Sequence, residues 1–270
     1  MCKRRGCDVG AAPFFEKAKC EALPAEYVRK GRFDMKEQLY TIPVNEALEK
    51  DCECPVCAMY QELEKASLEY TLGPSYMEDD VRMVTDKIGF CSVHAKELYR
   101  QQNRLGLALI LKTHMDRTIK DVERLAKGPV MGGGLFKKKD APVVEYLKKM
   151  NCSCFVCERV EHVFERYIAT IFYLYEKEAD FRAKLAQCKG FCNEHYALLY
   201  EQAPLQLSGK YLEEFIEMLN EVYLTNMKRV RDDLEWFTDK FDYRNADAPW
   251  KNSKDALPRT IVKTNSIRVE

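Results

Sequence analysis

The chain has 270 residues, room for one large domain or two of ordinary size with a real core. Apolar residues make up 46% and charged residues 32%, the balance of a folded chain rather than a disordered one. Lysine plus arginine equals aspartate plus glutamate, 43 of each, so no global field favours nucleic acid or an acidic membrane surface.

Residues 1–34 hold Cys2, Cys7 and Cys20 without a matching histidine and without apolar periodicity. A disordered arm is one reading; a misassigned start, with Met35 the true initiator, is the other. Lys3-Arg4-Arg5 is followed by no apolar run of signal-peptide length. The most apolar runs, Leu105 to Leu111 and Ile168 to Tyr175, fall far short of the ~20 residues a spanning helix needs and read as buried helix. Without an export signal, the twelve cysteines point to a reducing cytoplasm rather than a disulfide scaffold.

From Met35 the pattern is helical. Pro43 and Asn45 open a short helix to Lys50. Cys52, Cys54 and Cys57 follow, then a helix from Val56 to Leu72 that Gly73-Pro74 stops. A short helix runs from Met77 to about Thr85, and Gly89-Phe90-Cys91-x-x-His94 leads into another. Leu105, Ala108, Leu111, Met115, Ile119, Val122 and Leu125 mark a long amphipathic helix.

Gly128-Pro129, three consecutive glycines from Gly132 and Lys137-Lys138-Lys139 describe a linker over residues 128–141. The glycines are no phosphate loop, because no G-K-[ST] follows and no strand precedes. The plan then repeats over residues 142–243. Cys152, Cys154 and Cys157 are followed by Gly190-Phe191-Cys192-x-x-His195, and a final long helix carries Leu212, Phe215, Leu219, Val222, Met227, Val230, Leu234 and Phe237. Residues 244–270 are punctuated by proline and asparagine and read as an extended tail. Within it Trp250 is the candidate docking anchor, onto the helical body or a partner.

A C-x2-C pair and a C-x2-H pair, twice in one chain, form the ligand grammar of a four-coordinate zinc site. Thiolates and imidazole suit zinc, and ligands at i and i+3 of a helix start share one face. Chain order assigns Cys54, Cys57, Cys91 and His94 to one site, and Cys154, Cys157, Cys192 and His195 to the other. Cys52 and Cys152 are surplus in both repeats: small buried residues, alternative ligands or redox thiols. Cys188 reads as packing, and His114 and His162 as ordinary side chains. Glu78, Asp80 and Arg82, repeated as Glu178, Asp180 and Arg182, read as structural helix pairs rather than acid–base machinery.

Tyr40-Thr41-Ile42-Pro43, the first cysteine triplet, Tyr76 through Arg82, the Gly89–His94 motif and the stretch from Pro249-Trp250 to Pro258-Arg259 resemble an uncharacterised bacterial family. That family is a domain of unknown function common in anaerobic Gram-positive bacteria, and the likeness covers Met35 to Arg259. It implies a duplicated Cys/His protein and carries over no activity. Residues 1–34 depart from it, which favours the start at Met35.

The expectation is an all-α protein of two similar lobes, residues 35–127 and 142–243, each tied by one zinc. A zinc site closed by four protein ligands leaves no open position for catalysis, so the expected function is a non-enzymatic scaffold binding another protein. Two rivals stand beside it: a redox-responsive zinc–thiolate switch and an iron–sulfur protein.

Overall fold

The computed structural model describes residues 38–127 and 141–267. The 1–34 arm and the linker up to residue 140 lie outside the described residues. Eleven α-helices and two short 3-10 turns make up the regular structure, with no strand among the described residues. The fold is all-α, as the apolar periodicity requires.

The first half supplies α1 (Gln38–Glu49), α2 (Pro55–Leu72), α3 (Asp79–Ile88), α4 (Ser92–Arg100) and α5 (Arg104–Leu125). The second supplies α6 (Pro142–Cys152), α7 (Phe155–Lys177), α8 (Ala179–Gln187), α9 (Asn193–Gln206), α10 (Gly209–Asp239) and α11 (Ala256–Asn265). None is long and apolar enough to cross a membrane. Helix α1 starts at Gln38 and runs through Pro43, earlier than its sequence suggests.

The chain divides into two compact units, but not along the repeats. Among the described residues, unit 1 is residues 63–162, and unit 2 is residues 38–62 together with 163–267. Both boundaries fall inside a helix, α2 and α7. The contiguous lobes expected at 35–127 and 142–243 are therefore replaced by interleaved ones. Helix length is the physical reason. At 1.5 Å per residue, the 18 residues of α2 and 23 of α7 carry the chain about 27 and 35 Å from the cysteines at their starts.

Unit 1 is centred on α5 packed against α3. Gly106, Leu107 and Ile110 are buried, as are Leu72, Val81, Leu98, Val156 and Val160 of the same unit. Polar contacts hold that face inward. Asn103 caps α5 by accepting from the Gly106 N–H (3.0 Å), and its amide donates to the Leu72 carbonyl (2.7 Å). Arg82 donates to the Leu109 carbonyl (3.3 Å) and to Thr113 (3.1 Å), while Thr113 bonds Asp86. The line of residues the sequence marks for burial lies elsewhere on the helix: Leu105, Ala108, Leu111, Met115 and Ile119 are exposed, Leu105 by 67% and Met115 by 61%, while Val122 and Leu125 at its end are half-buried. Periodicity finds the helix. It does not choose between two apolar lines on one cylinder.

In unit 2 the corresponding reading holds. Phe215, Leu219, Val222 and Val230 of α10 are buried, and α10 packs on α9 and α11. Phe215 sits against Phe172 (ring centroids 5.0 Å) and edge-on to Tyr175 (4.9 Å). Arg182 ties α8 back by donating to the Tyr175 carbonyl (2.7 Å).

The segment read as an extended tail is folded. A 3-10 turn spans Tyr243–Asn245 and α11 follows, with Pro258 in its first turn, where no helical N–H is needed. The Lys240 ammonium holds the preceding bend by donating to the carbonyls of Asn245 (2.5 Å), Ala246 (2.8 Å) and Ala248 (2.6 Å). Trp250 is half-buried, its ring 5.9 Å from Phe237. The fully enclosed groups of the tail are Ser253, Ala256 and Lys263. Trp250 thus lies against α10, with the Lys240 ammonium 5.3 Å from its ring, while complete enclosure falls on two small residues and one lysine.

Candidate metal centres

Each ligand pair begins a helix. Cys91 and Cys192 are the N-cap residues of α4 and α9, and their sulfurs accept from the N–H groups of His94 (3.5 Å) and His195 (3.4 Å). Cys54 precedes α2 and accepts from the Cys57 N–H (3.5 Å). Cys154 stands in the same relation to α7, its carbonyl taking the Glu158 N–H (3.0 Å). A helix N-terminus presents unpaired N–H groups and a partial positive charge, which favours thiolates there. The second ligand of each pair lies three residues on, in the first turn.

These pairs meet across the repeats. In unit 2, Cys54 and Cys57 join Cys192 and His195; in unit 1, Cys154 and Cys157 join Cys91 and His94. The eight residues are those singled out by spacing, but the partition by chain order is corrected. Within each group the ligand atoms all lie within 4.8 Å of one another. In unit 2, the Cys192 sulfur is 3.8 Å from that of Cys54 and 3.6 Å from that of Cys57. The His195 Nδ1 lies 3.5, 3.2 and 3.1 Å from Cys54, Cys57 and Cys192. In unit 1, the His94 Nδ1 lies 3.3 Å from Cys91, 3.2 Å from Cys154 and 3.3 Å from Cys157. A tetrahedron with metal–sulfur bonds of about 2.3 Å sets its sulfurs about 3.8 Å apart. The donor sets fit one four-coordinate ion each.

Without a cation such groups cannot all carry charge. Hydrogen bonds from Cys154 and Cys157 hold Cys91 far below the ordinary thiol range, against the effect of burial. Bonds from Cys54 and Cys57 do the same for Cys192, while Cys57 is driven far upward by Cys192, Cys54 and burial. Burial opposes charge on His94, but the Cys154 and Cys91 sulfurs and the Glu64 carboxylate outweigh it and push its pKa to about 11. His195, also opposed by burial, is raised to about 10 by Cys54 and Cys192. A divalent ion would supply the missing positive charge in both places.

The two surroundings differ. In unit 2 the ammonium of Lys263, 1% exposed, donates to the carbonyls of Glu53 (2.6 Å) and Lys189 (2.5 Å). It thereby ties the chain before Cys54 to the chain before Cys192. The Glu53 carboxylate pairs with Lys263 (3.2 Å) and Arg229 (2.6 Å), and Ser266 donates to the Cys192 sulfur (3.1 Å). Gly190, at φ +88°, is strained for any other residue, and a Cβ there would crowd Asn226 at 3.0 Å and the Lys263 ammonium at 3.2 Å. In unit 1, Glu64 accepts from His94 Nε2 (2.9 Å), fixing the ring so that Nδ1 faces the sulfurs. His114 closes over Gly89, its Nδ1 donating to the Asp86 carbonyl (2.9 Å).

Sequence reasoning missed Lys263, Ser266, Glu64 and His114. Only the two glycines hinted at close neighbours, and nothing in spacing said which. Cys52 and Cys152 stand outside both groups: Cys52 is half-buried, with burial raising its pKa, and Cys152 is exposed. Cys188 is half-buried and pushed up to about 11 by burial. His162 is exposed.

Fold and site together define an all-α protein with two Cys3His clusters able to hold metal ions. Residues 35–270 match a family of unknown function (DUF6062), and the chain belongs to that family. No curated protein and no solved structure matches it.

Proposed function

We propose that the protein is a zinc-stabilised helical scaffold that binds another protein and catalyses no reaction. The observation that carries this reading is the closure of both donor sets: three sulfurs and one imidazole nitrogen leave no position for substrate or water on a four-coordinate ion. Soft sulfur donors with imidazole favour zinc, and ligand atoms within 4.8 Å of one another suit a single ion. A cluster of several irons interposes bridging sulfides and needs its ligands further apart. Thiolates that ligate a metal must stay reduced, which suits a reducing compartment such as the cytoplasm.

Elemental analysis of protein purified without oxygen is expected to find two zinc ions per chain in a colourless sample. A brown protein containing iron, or a chain without metal, overturns the assignment.

The exposed stripe on α5 supports the partner. Leu105, Leu111, Met115 and Ile119 form a line that a soluble monomer rarely leaves open, with Lys112, Asp116, Arg117 and Lys120 beside it. A protein presenting apolar side chains fits such a surface. Amine cross-linking in the source cells should join Lys112 or Lys120 to peptides of another protein. Met115→Lys should remove those links while two zinc ions remain bound. Links confined to this chain, or unaffected by the substitution, would argue against the stripe as the docking face.

A further inference from the structure

We infer that the two metal centres differ in reactivity, and that Cys91 of unit 1 is a modification site at which peroxide-type oxidants displace one zinc while the other is retained. The inference rests on the zinc reading above. Its basis is what surrounds equivalent sulfurs. Cys192 is fully buried, receives the Ser266 hydroxyl at 3.1 Å, and belongs to a centre beside the Lys263 ammonium. Cys91 is part-exposed, and no side-chain hydroxyl donates to its sulfur among the described residues. Unit 1 places Glu64 on its histidine, where unit 2 places Lys263 on the backbone beside its cysteines.

Hydrogen bonds and nearby cations withdraw electron density from a metal-bound thiolate, and enclosure denies access to it. A carboxylate on the ligating histidine makes the centre more electron-rich. Exposure and thiolate character are the two conditions for oxidation. Cys91 meets both.

The step balances with peroxide as the oxidant. The Cys91 sulfur attacks one peroxide oxygen, the O–O bond breaks and hydroxide leaves, giving a sulfenic acid. The thiolate of Cys157, 4.0 Å away, then attacks that sulfur, forming the S–S bond and releasing a second hydroxide. Two thiolates lose two electrons, the peroxide gains them, and protons from solvent convert both hydroxides to water. An ion left with one thiolate and one imidazole dissociates.

The test is hydrogen peroxide titration of the full chain loaded with two zinc ions, with released metal read by a chromophoric chelator and disulfides mapped by mass spectrometry. One equivalent should leave about tenfold or more faster than the other, with Cys91 in the first disulfide to appear. Ser266→Ala should speed the slow phase and leave the fast one unchanged. Release of both ions together, first oxidation at Cys54, Cys57 or Cys192, or a slow phase indifferent to Ser266→Ala would overturn the inference and leave the zinc reading standing. Oxidation of Cys52, Cys152 or Cys188 with both ions retained would overturn it equally. A chain that binds no zinc overturns both.

Discussion

Replacing Cys57 and Cys192 together with serine should remove one zinc per chain, whereas replacing Cys57 and Cys91 together should remove both. The two doubles delete the same number of thiolates, so only the partition separates them. Cys57 and Cys192 share the unit 2 centre, while Cys91 belongs to that of unit 1. If each centre were built within one repeat, the outcomes would exchange. Elemental analysis of the two proteins, set beside the wild type at two, decides the matter. The consequences for folding should be as large. Structural zinc contributes an apparent ~10–16 kcal/mol at neutral pH, comparable with or above the ~5–15 kcal/mol net stability of whole domains. Loss of one ion should therefore unfold the unit that holds it. Hydrogen exchange should show protection lost in residues 163–267 for the first double, with residues 63–127 retaining theirs.

Lys263→Met should destabilise unit 2 by about 2–3 kcal/mol, a fall of several degrees in melting temperature. Methionine keeps the length and apolar stem but leaves the carbonyls of Glu53 and Lys189 without their donor. Arg229 still pairs with the Glu53 carboxylate, which keeps the loss below that of a fully broken buried pair. Lys263→Arg should rescue little, because a planar guanidinium does not fit a site this enclosed, with the Gly190 backbone immediately against the ammonium. The same substitution in a protein whose tail merely lay on the surface would cost almost nothing. A melting temperature unchanged by Lys263→Met would refute the view that α11 fastens the unit 2 centre.

The bare stripe of α5 and the covered stripe of α10 make the two repeats unequal in another respect. Similar long helices follow each C-x2-H motif, yet α11 packs on α10, with its own Ala256 and Lys263 buried. On α5, by contrast, Met115 and Ile119 are exposed, although α6 touches the same helix. The same cysteine–histidine spacing occurs twice, and the segment after its second occurrence contributes Lys263 and Ser266 to one centre alone.

The sequence by itself determined the class of fold and the eight residues of the two candidate metal centres. Helical periodicity is local, since residues three and four apart share a face wherever the helix goes, and C-x2-C and C-x2-H are complete within one helical turn. Those signals survive without knowledge of anything distant. Which pairs meet is another kind of fact. Cys57 is 34 residues from Cys91 and 135 from Cys192, and every C-x2-C in this chain could serve every C-x2-H. Only the run of α2 and α7 away from their first turns, and the packing of later helices onto them, selects the crossed arrangement. The same holds for the face α5 buries, settled by Asn103, Arg82 and Thr113 rather than by its own apolar pattern. It holds again for Lys263, a charged residue in a short proline-containing segment. Its burial is favourable only because two carbonyls and a carboxylate from distant parts of the chain converge on it, an arrangement that exists in the tertiary structure alone.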